Sequence, residues 1–477
     1  GAGVAYETRG KYNPDGRDPY QDYSPVPYRG WCWKLTPEGK AIPFASGFRQ
    51  ANGLGFDAQG RLFATDNQGE WIGSSKLLHI HEGRFHGFGM SRVWEPTWPG
   101  GNPLSYPVEK HDRERVRESI MFPHGAMANS PTQPVLAPAD GSFGPFAGQF
   151  IIGEMNHQRL LRVGLEEVGG ELQGFCVPFY DFDGLKMGRV RLVFGPDHAL
   201  YTGQTFRQGW VGDAGIQRLT WTGKTPPEVH TMRVTSKGFE LTFTLPLDAS
   251  SATLPGAYKF RRSYYRYHRR YDARQFDVHE VPVTSVAVSP DRRSVSLELA
   301  EMVPGYVYEL TLTGIKTETG APIVNPYLAY TLNRLKDGTP GYQKPAVLVQ
   351  GDTFTLDPRK AQELAQCTPT SGGVEIAAKD GHLEQWFHTP REGMYEVTVH
   401  YTLTGSATPT LRYGINSRLT GNAVLKPTPT SGGATFTYIA RVDEGDNAVQ
   451  LQGLPANTAG TKPTITRFDF KRVGELQ

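Results

Sequence analysis

Apolar and polar residues alternate with a period of two through most of the chain, and a helical period is almost absent. In "GFELTFTLPL" Phe239, Leu241, Phe243 and Leu245 fall on one side, with Glu240, Thr242 and Thr244 on the other. That is the pattern of a strand with one buried face. "GYVYELTLTG" (305–314) and "GMYEVTVHYTL" (393–403) repeat it. The best helical candidate, "YPVEKHDRERVRESIMF" (106–122), is charge-dense and free of glycine, and predicts one or two turns on a surface loop. The expected fold class is all-β.

The pattern divides the chain into three regions. Residues 1–225 carry a loose repeat of an apolar strand, a turn of the D/P-x-x-G type and a second strand. "NGLGFDAQGRLFATDNQ" (52–68) and "VRLVFGPDHALYTGQTF" (190–206) are the clearest copies, and "GQFIIGEMNHQRLLRVGLE" (148–166) adds a strand pair. Recurring units of this length predict propeller blades. About three or four units fit, whereas rings use four to eight, so the propeller is expected to be partial. Residues 226–336 read as a seven-strand, immunoglobulin-like sandwich with turns at "SPDRRS" and "KTETGAP". "KDGTPGYQKP" (336–345) reads as a linker, and residues 346–477 as a second, jelly-roll sandwich.

Composition narrows the partners. The net charge of +2 over 477 residues gives no field for nucleic acid or membranes, and no apolar run approaches the ~18 residues of a membrane span. The 55 glycines, 36 prolines and 11 % aromatics suit short strands and tight turns. Of the three cysteines, Cys32 and Cys176 are the pair expected if a disulfide forms; three buried thiols are the equal alternative. The start, Gly-Ala-Gly without Met or signal peptide, reads as a processed or truncated product.

"FRQANGLGFDAQGRLFATDNQGEW", "FPHGAMANSP", "FGPFAGQFIIGEMNHQRLLRV" and "LYTGQTFRQGW" with "GIQRLTWTGKTP" carry a resemblance. Through them residues 1–336 resemble secreted bacterial propeller proteins with an immunoglobulin-like module, related to sorbosone and soluble glucose dehydrogenases. The dehydrogenases hold pyrroloquinoline quinone and calcium on the axial face of the propeller, with a histidine as general base. Their chains have more N-terminal blades, which implies that about half the ring lies upstream or on another chain.

The resemblance also assigns residues. A quinone-holding R-N-P-x-G pattern meets "RQANG", keeping Arg49 but replacing the next two residues by Gln50 and Ala51. A calcium-binding E-Q-G-P pattern meets "NQGE", so the carbonyls of Gln68 and Gly69, with the Asp66 carboxylate, are the expected calcium ligands. A Lys-Arg pair is replaced by Asn156-His157, and an R-x-R pair by Lys186-x-Gly188. A tricarboxylated quinone needs several cations. Arg49 and Lys186 are what remains, which speaks against quinone binding by this chain alone.

Other residues are candidates on their own chemistry. His124, between a proline and a glycine in a loop, suits a general base. His157 stands where a cofactor cation is expected, and with Arg49 it completes the candidate catalytic set. His79 and His81 share a strand face near His86, a spacing that suits Zn²⁺ or Cu²⁺ but equally a semi-buried strand. "YKFRRSYYRYHRRYDAR" (258–274) interleaves Arg and Tyr as nucleic-acid sites do, yet Arg–Tyr stacking at a domain interface explains it better.

In the last region, "WFHTPREGMYEVTVHYT" is similar to carbohydrate-binding jelly rolls. Trp386 reads as a core ring; Tyr401, Phe436 and Tyr438 are further aromatics. Tyr413, Asn416 and Arg418 on one loop are the expected glycan ligands. The whole reads as a secreted, periplasmic or surface protein that acts on carbohydrate. One reading is a sugar-oxidising propeller with glycan targeting by the last domain. The other is a non-catalytic glycan-binding or assembly scaffold.

Overall fold

The repeat begins with a hairpin, Ala51–Phe56 paired with Leu62–Asp66. Its turn is built by Asp57, whose Oδ1 accepts the N–H groups of Gln59 (3.0 Å) and Arg61 (2.9 Å). Gly60 closes it at φ +76°, a conformation that favours glycine. Ser75–His79 and Ile120–Phe122 extend the hairpin into a four-stranded antiparallel meander. A second meander follows, Pro131–Leu136, Phe150–Glu154, Arg159–Val168 and Glu171–Asp181. The third has three strands, Arg189–Phe194, Leu200–Gln204 and Gly215–Leu219. The expected hairpins at 52–68, 148–166 and 190–206 are therefore present, and so is the short helix, Val108–Glu114. Among the described residues none of the sheets closes into a ring.

This computed structural model describes residues 27–475, apart from 101–102, 104–105, 107, 182–183, 207–212, 269–272, 338–350, 417 and 430–431. Most of the "KDGTPGYQKP" segment thus lies outside the described residues. The chain divides into two units, Gly1–Lys344 and Pro345–Gln477. Among the described residues no helix is long and apolar enough to cross a membrane.

In the first unit the meanders stack face to face. Phe150 and Ile152 join Phe63, Leu77 and Phe122 on one side of the second meander, while Ile151 and Leu160 join Leu192 and Leu200 on the other. The strand between them is buried on both faces, which is why "QFIIGE" is a continuous apolar run. Gly53 allows the close approach: a Cβ there would lie 2.2 Å from the Cα of Gln133. A hairpin of Trp31–Leu35 and Ala41–Ser46 covers the first meander over Cys32, Phe48, Ala64 and Leu78. Cys32 and Cys176 lie in different cores and are free, as is Cys367. The Cys32–Cys176 disulfide does not form.

The second meander does not end at its fourth strand. Gly174, Phe175 and Cys176 pair with Thr331, Tyr330 and Ala329, so its sheet runs on through Tyr327–Leu332, Tyr306–Leu312, Tyr258–Tyr264 and Phe276–Val281 to make eight strands. A sheet of Val229–Val234, Gly238–Phe243, Ser294–Leu299 and Val283–Val288 packs against this extension. Tyr306–Leu312, expected to bury one face, therefore buries both. Tyr308 and Leu310 enter the sandwich core, and Val307 enters the meander core. The Arg/Tyr segment is spent at this join. Arg262 pairs with Asp277 (2.8 Å) and Glu301 (2.6 Å) and lies over the Tyr306 ring, while Tyr267 and His268 pair with Ile72 and Trp71.

The second unit is a sandwich of a six-stranded and a five-stranded sheet. Gly393–Thr402 alternates strictly, with Tyr395, Val397, Val399 and Tyr401 in the core and Glu396, Thr398 and His400 outside it.

One buried acid sets a pH dependence. Glu228, 3 % exposed, accepts a hydrogen bond from the Asn325 amide where the third meander leads into the sandwich. Burial raises its pKa from 4.5 to about 7, against the opposing pull of Arg162. The folded state then holds a proton that the unfolded state releases, so stability falls as pH rises from 4.5 to about 7 and levels off above it. Glu228→Gln is expected to flatten that slope in urea melts and to stabilise the protein at pH 8 by on the order of 2–3 kcal/mol. An unchanged slope would assign the pH dependence elsewhere.

Candidate functional site

The loops leaving one end of the meanders are tied together by two buried charges that the sequence reading did not single out. Glu154, fully buried at the end of Phe150–Glu154, accepts N–H groups from Asn129 (3.0 Å), Ser130 (2.6 Å) and His157 (2.5 Å). Arg189, fully buried at the start of Arg189–Phe194, donates to the carbonyls of His157 and Lys186. Their signal was a charge at each end of an otherwise apolar strand, in "QFIIGE" and "GRVRLVF". Together they hold loops 124–130, 155–158 and 184–188 on one strand-end face.

Arg49 and Asp66 lie side by side at this end, but they face each other's partners rather than an open site. Asp66, 1 % exposed, accepts the N–H groups of Arg49 (3.1 Å) and Gln50 (2.7 Å). The Lys76 ammonium sits 3.3 Å from its Oδ2 and donates to the Asn67 carbonyl at 2.9 Å. Burial pulls the pKa of Lys76 below its ordinary value, and the charge of Asp66 opposes that shift. The Arg49 guanidinium pairs with Glu70, itself 3 % exposed, and Gly69 passes directly against it. The side chain of Gln68 accepts from Ser75 at 3.1 Å.

These residues do not fit the groups expected of them. The Asp66 carboxylate already has its counter-cation in Lys76, so it is not free to anchor calcium beside the Gln68 and Gly69 carbonyls. Arg49 is committed to Glu70 and cannot clamp a quinone carboxylate. Lys186 is exposed and leans on the Ala214 carbonyl at 3.4 Å. Among the described residues no group of three or more His, Cys, Asp or Glu side chains is placed to hold a metal. That includes the strand histidines. The rings of His79 and His81 are 4.0 Å apart, but His86 spends both ring nitrogens on backbone groups of Ser46, Arg84, His79 and His81.

His124 and His157 differ from all of these. Both are half-buried on the strand-end face. The backbone N–H of His124 donates to the Tyr265 hydroxyl at 2.8 Å, which fixes the loop. Burial lowers the His124 pKa below its ordinary value, and the neighbouring imidazole of His157 adds to that shift. The Nδ1 of His124 and the Nε2 of His157 are buried and have no hydrogen-bond partner among the described residues. Near them stand Asn67 bonded to Ser130 (3.0 Å), Asn52 against the Met155 sulfur, and Asn129 accepting from Gly125 (2.8 Å), while Arg159 donates to the Ala126 (2.7 Å) and Met127 (3.1 Å) carbonyls and Arg191 to that of Asn52 (2.9 Å).

In the second unit two of the three expected glycan ligands, Tyr413 and Asn416, are turned to other partners. Tyr413 points into the sandwich, its ring 4.2 Å from Tyr438 and 5.4 Å from Phe436 and lying over Gly421. Asn416 is 4 % exposed at φ 58°; its amide donates to Asp443 (3.2 Å) and Asn447 (2.9 Å), and its oxygen accepts from Ala448 (2.8 Å). It closes a turn and has no group left for a sugar. The Arg418 side chain lies outside the described residues.

No protein-family model matches the chain, and no curated protein matches it. Some solved structures are similar over part of it. A carbohydrate-binding module CBM36 in complex with calcium and xylotriose is 11 % identical over 25 % of this chain and 99 % of that one, with a TM-score of 0.22. A Xyl-CBM35 in complex with a glucuronic acid containing disaccharide is 21 % identical over 26 % of this chain and 94 % of that one (TM-score 0.21). A putative oxidoreductase (glucose dehydrogenase) from Thermus thermophilus is 20 % identical over 40 % of this chain (TM-score 0.27), and the match spans 55 % of that protein.

The ion pairs predict two results. Lys76→Met should strand the Asp66 carboxylate and cost about 3–5 kcal/mol in chemical denaturation. The unsubstituted protein should melt at the same temperature in millimolar calcium and in EDTA; a calcium-dependent rise would restore a metal to this rim.

Proposed function

We propose that the chain is a secreted carbohydrate-binding protein whose first unit, a partial propeller, holds sugar on its strand-end face between His124 and His157. The observation that carries this reading is the pair of half-buried imidazoles, each with a buried ring nitrogen that has no partner among the described residues. An unpaired buried nitrogen carries a desolvation cost of roughly 1–3 kcal/mol, which a hydroxyl of a bound sugar recovers. The surrounding groups include amides and a hydroxyl that can meet a polyol, with Arg159 and Arg191 bonded to the carbonyls of Ala126, Met127 and Asn52. Binding is preferred to oxidation because Arg49 and Asp66 are already spent on Glu70 and Lys76.

Affinity electrophoresis of the full chain in gels cast with soluble polysaccharides tests this. His124→Ala and His157→Ala should each weaken retention by about tenfold, the worth of one well-made hydrogen bond. Retention on no glycan, or unchanged retention in the double variant, would remove the reading.

The same proposal extends to the third meander. Its outer face leaves Val193 and Ile216 60 % and 78 % exposed, where both faces of the second meander are covered. A further meander, from upstream sequence or another chain, covers it. Light scattering on this chain alone should report association that Ile216→Lys weakens. A monomer at every concentration would count against a missing neighbour.

A further inference from the structure

We propose that the long edge strand of the C-terminal unit, Ala434–Val442, pairs with the same strand of a second copy of this chain. The two sheets of that unit have ends of unequal kind. The five-stranded sheet ends on one side in Glu363–Ala365, only three residues long. On the other it ends in Arg418–Val424, which contains Gly421 and pairs with its neighbour through a register shift. The far side of the six-stranded sheet ends in two four-residue strands, Thr353–Leu356 and Cys367–Thr370, the second with Pro369. Short strands, irregular register and proline all keep an edge from pairing. Ala434–Val442 has none of them. Its nine residues run in unbroken register along Gly393–Thr402, without proline, glycine or lysine, and carry one charge, Arg441.

Register tells which backbone groups of this strand point outward. The Arg472 N–H donates to the Asp352 carbonyl at 2.7 Å, so Arg472 and Phe470 turn their backbone groups toward Thr353–Leu356. Lys471 and Asp469 therefore bond Glu396 and Thr398. That leaves Tyr395, Val397 and Val399 to bond Ala440, Tyr438 and Phe436. By alternation, the N–H and C=O groups of Thr435, Thr437, Ile439 and Arg441 point away from the sheet. Among the described residues no strand pairs with that side. Thr435 and Thr437 are exposed, and Ile439 is 61 % exposed.

Size and charge select the same strand as its partner. Two identical antiparallel strands are related by a two-fold axis, the commonest symmetry of soluble assemblies. With the axis at Tyr438, Thr437 meets Ile439 of the second copy and Thr435 meets its Arg441. These are the residues whose backbone groups point outward, so full overlap makes about eight reciprocal hydrogen bonds. On the core side Phe436 falls opposite Ala440, a large side chain against a small one, and Ala434 opposite Val442. On the outer side no like charges meet. Arg441, with Glu392 at 3.6 Å and Asp443 at 3.5 Å, faces Thr435, whose neighbour on the next strand is His400. A seam one strand wide is smaller than the ~1,200–2,000 Å² of a stable interface, so the dimer is weak and forms with rising concentration.

Sedimentation of the full chain over a range of concentrations tests this, with Ile216→Lys present throughout to weaken association through the third meander. A monomer–dimer equilibrium is expected, with nothing larger, because the two-fold pairing uses up the edge. Thr437→Lys/Ile439→Lys sets lysine opposite lysine twice and should weaken the dimer by about tenfold. Thr437→Glu/Ile439→Lys sets opposite charges at the same places and should hold the dimer or tighten it. Both variants change exposed side chains, and each serves as the folding control for the other. A monomer at every concentration would overturn the pairing, and if the chain without Ile216→Lys still associates, the third-meander reading stands. A dimer indifferent to the two lysines would also overturn it, as would a Glu/Lys chain as weak as the Lys/Lys one.

Discussion

Three backbone pairings, Gly174 with Thr331, Phe175 with Tyr330 and Cys176 with Ala329, decide the architecture of the first unit. They fuse a meander to one sheet of a sandwich, and the neighbouring side chains are arranged to hold the seam. Gln173, fully buried, donates to the Tyr330 hydroxyl (2.9 Å) and accepts the N–H groups of Asn333 (2.9 Å) and Arg334 (2.7 Å). Glu166 accepts from Tyr330 (2.6 Å) and from the Val234 N–H (2.7 Å), so both sheets of the sandwich are tied to the meander. Thr331 accepts from Met121 N–H at 2.8 Å, which brings in the first meander. The bonds of Gln173 to Tyr330 and of Met121 to Thr331 are buried, and losing one partner of either would leave the other unsatisfied at a cost of about 1–3 kcal/mol.

The strand-end face inherits its order from that frame. Its loops are short of regular structure, and their backbone groups are satisfied by Glu154 and Arg189 instead of a ladder. Charges used this way are fully committed, and the same holds for Arg49, Glu70, Asp66 and Lys76. Buried pairs add little net stability, but they specify one arrangement of the groups they join. The proposed sugar site keeps two imidazoles among amides, with Arg159 and Arg191 bonded to the carbonyls of Ala126, Met127 and Asn52.

Much of this was legible in the sequence, and the failures share a cause. The repeat found the hairpins, and period-two alternation found the strands Gly238–Phe243 and Gly393–Thr402, because each of these two has one wet face. Alternation misjudged Tyr306–Leu312, where a second layer covers the other face and Glu309 accepts from Arg261, Gln275 and Tyr327. Site residues were misread where a polar group serves the fold. Asn416 looked like a ligand because it sits in a polar loop, but a left-handed residue before a strand is also where Asn closes turns. Lys76 in "SSKLLH" was the sign that Asp66 had a partner, since a lone lysine inside an apolar strand needs a buried acid. Trp386 lies on the strand parity opposite Leu383 and Phe387, and Tyr413 packs on the core, because parity, not aromaticity, decides which side of a sheet a ring occupies.

The shared eight-stranded sheet also bears on how such a chain can be recombined. A sandwich joined only by a linker can be moved as a cassette between genes, since a cut in the linker opens no hydrogen bonds. Here a cut at 225/226 would bare the edge of Glu171–Asp181 on one fragment and that of Tyr327–Leu332 on the other. Each would be a central strand turned into an open edge, with the apolar residues of a two-sided layer beside it. The meanders and the sandwich are therefore inherited together: the smallest piece of the first unit that can be exchanged is larger than either of its two sequence regions.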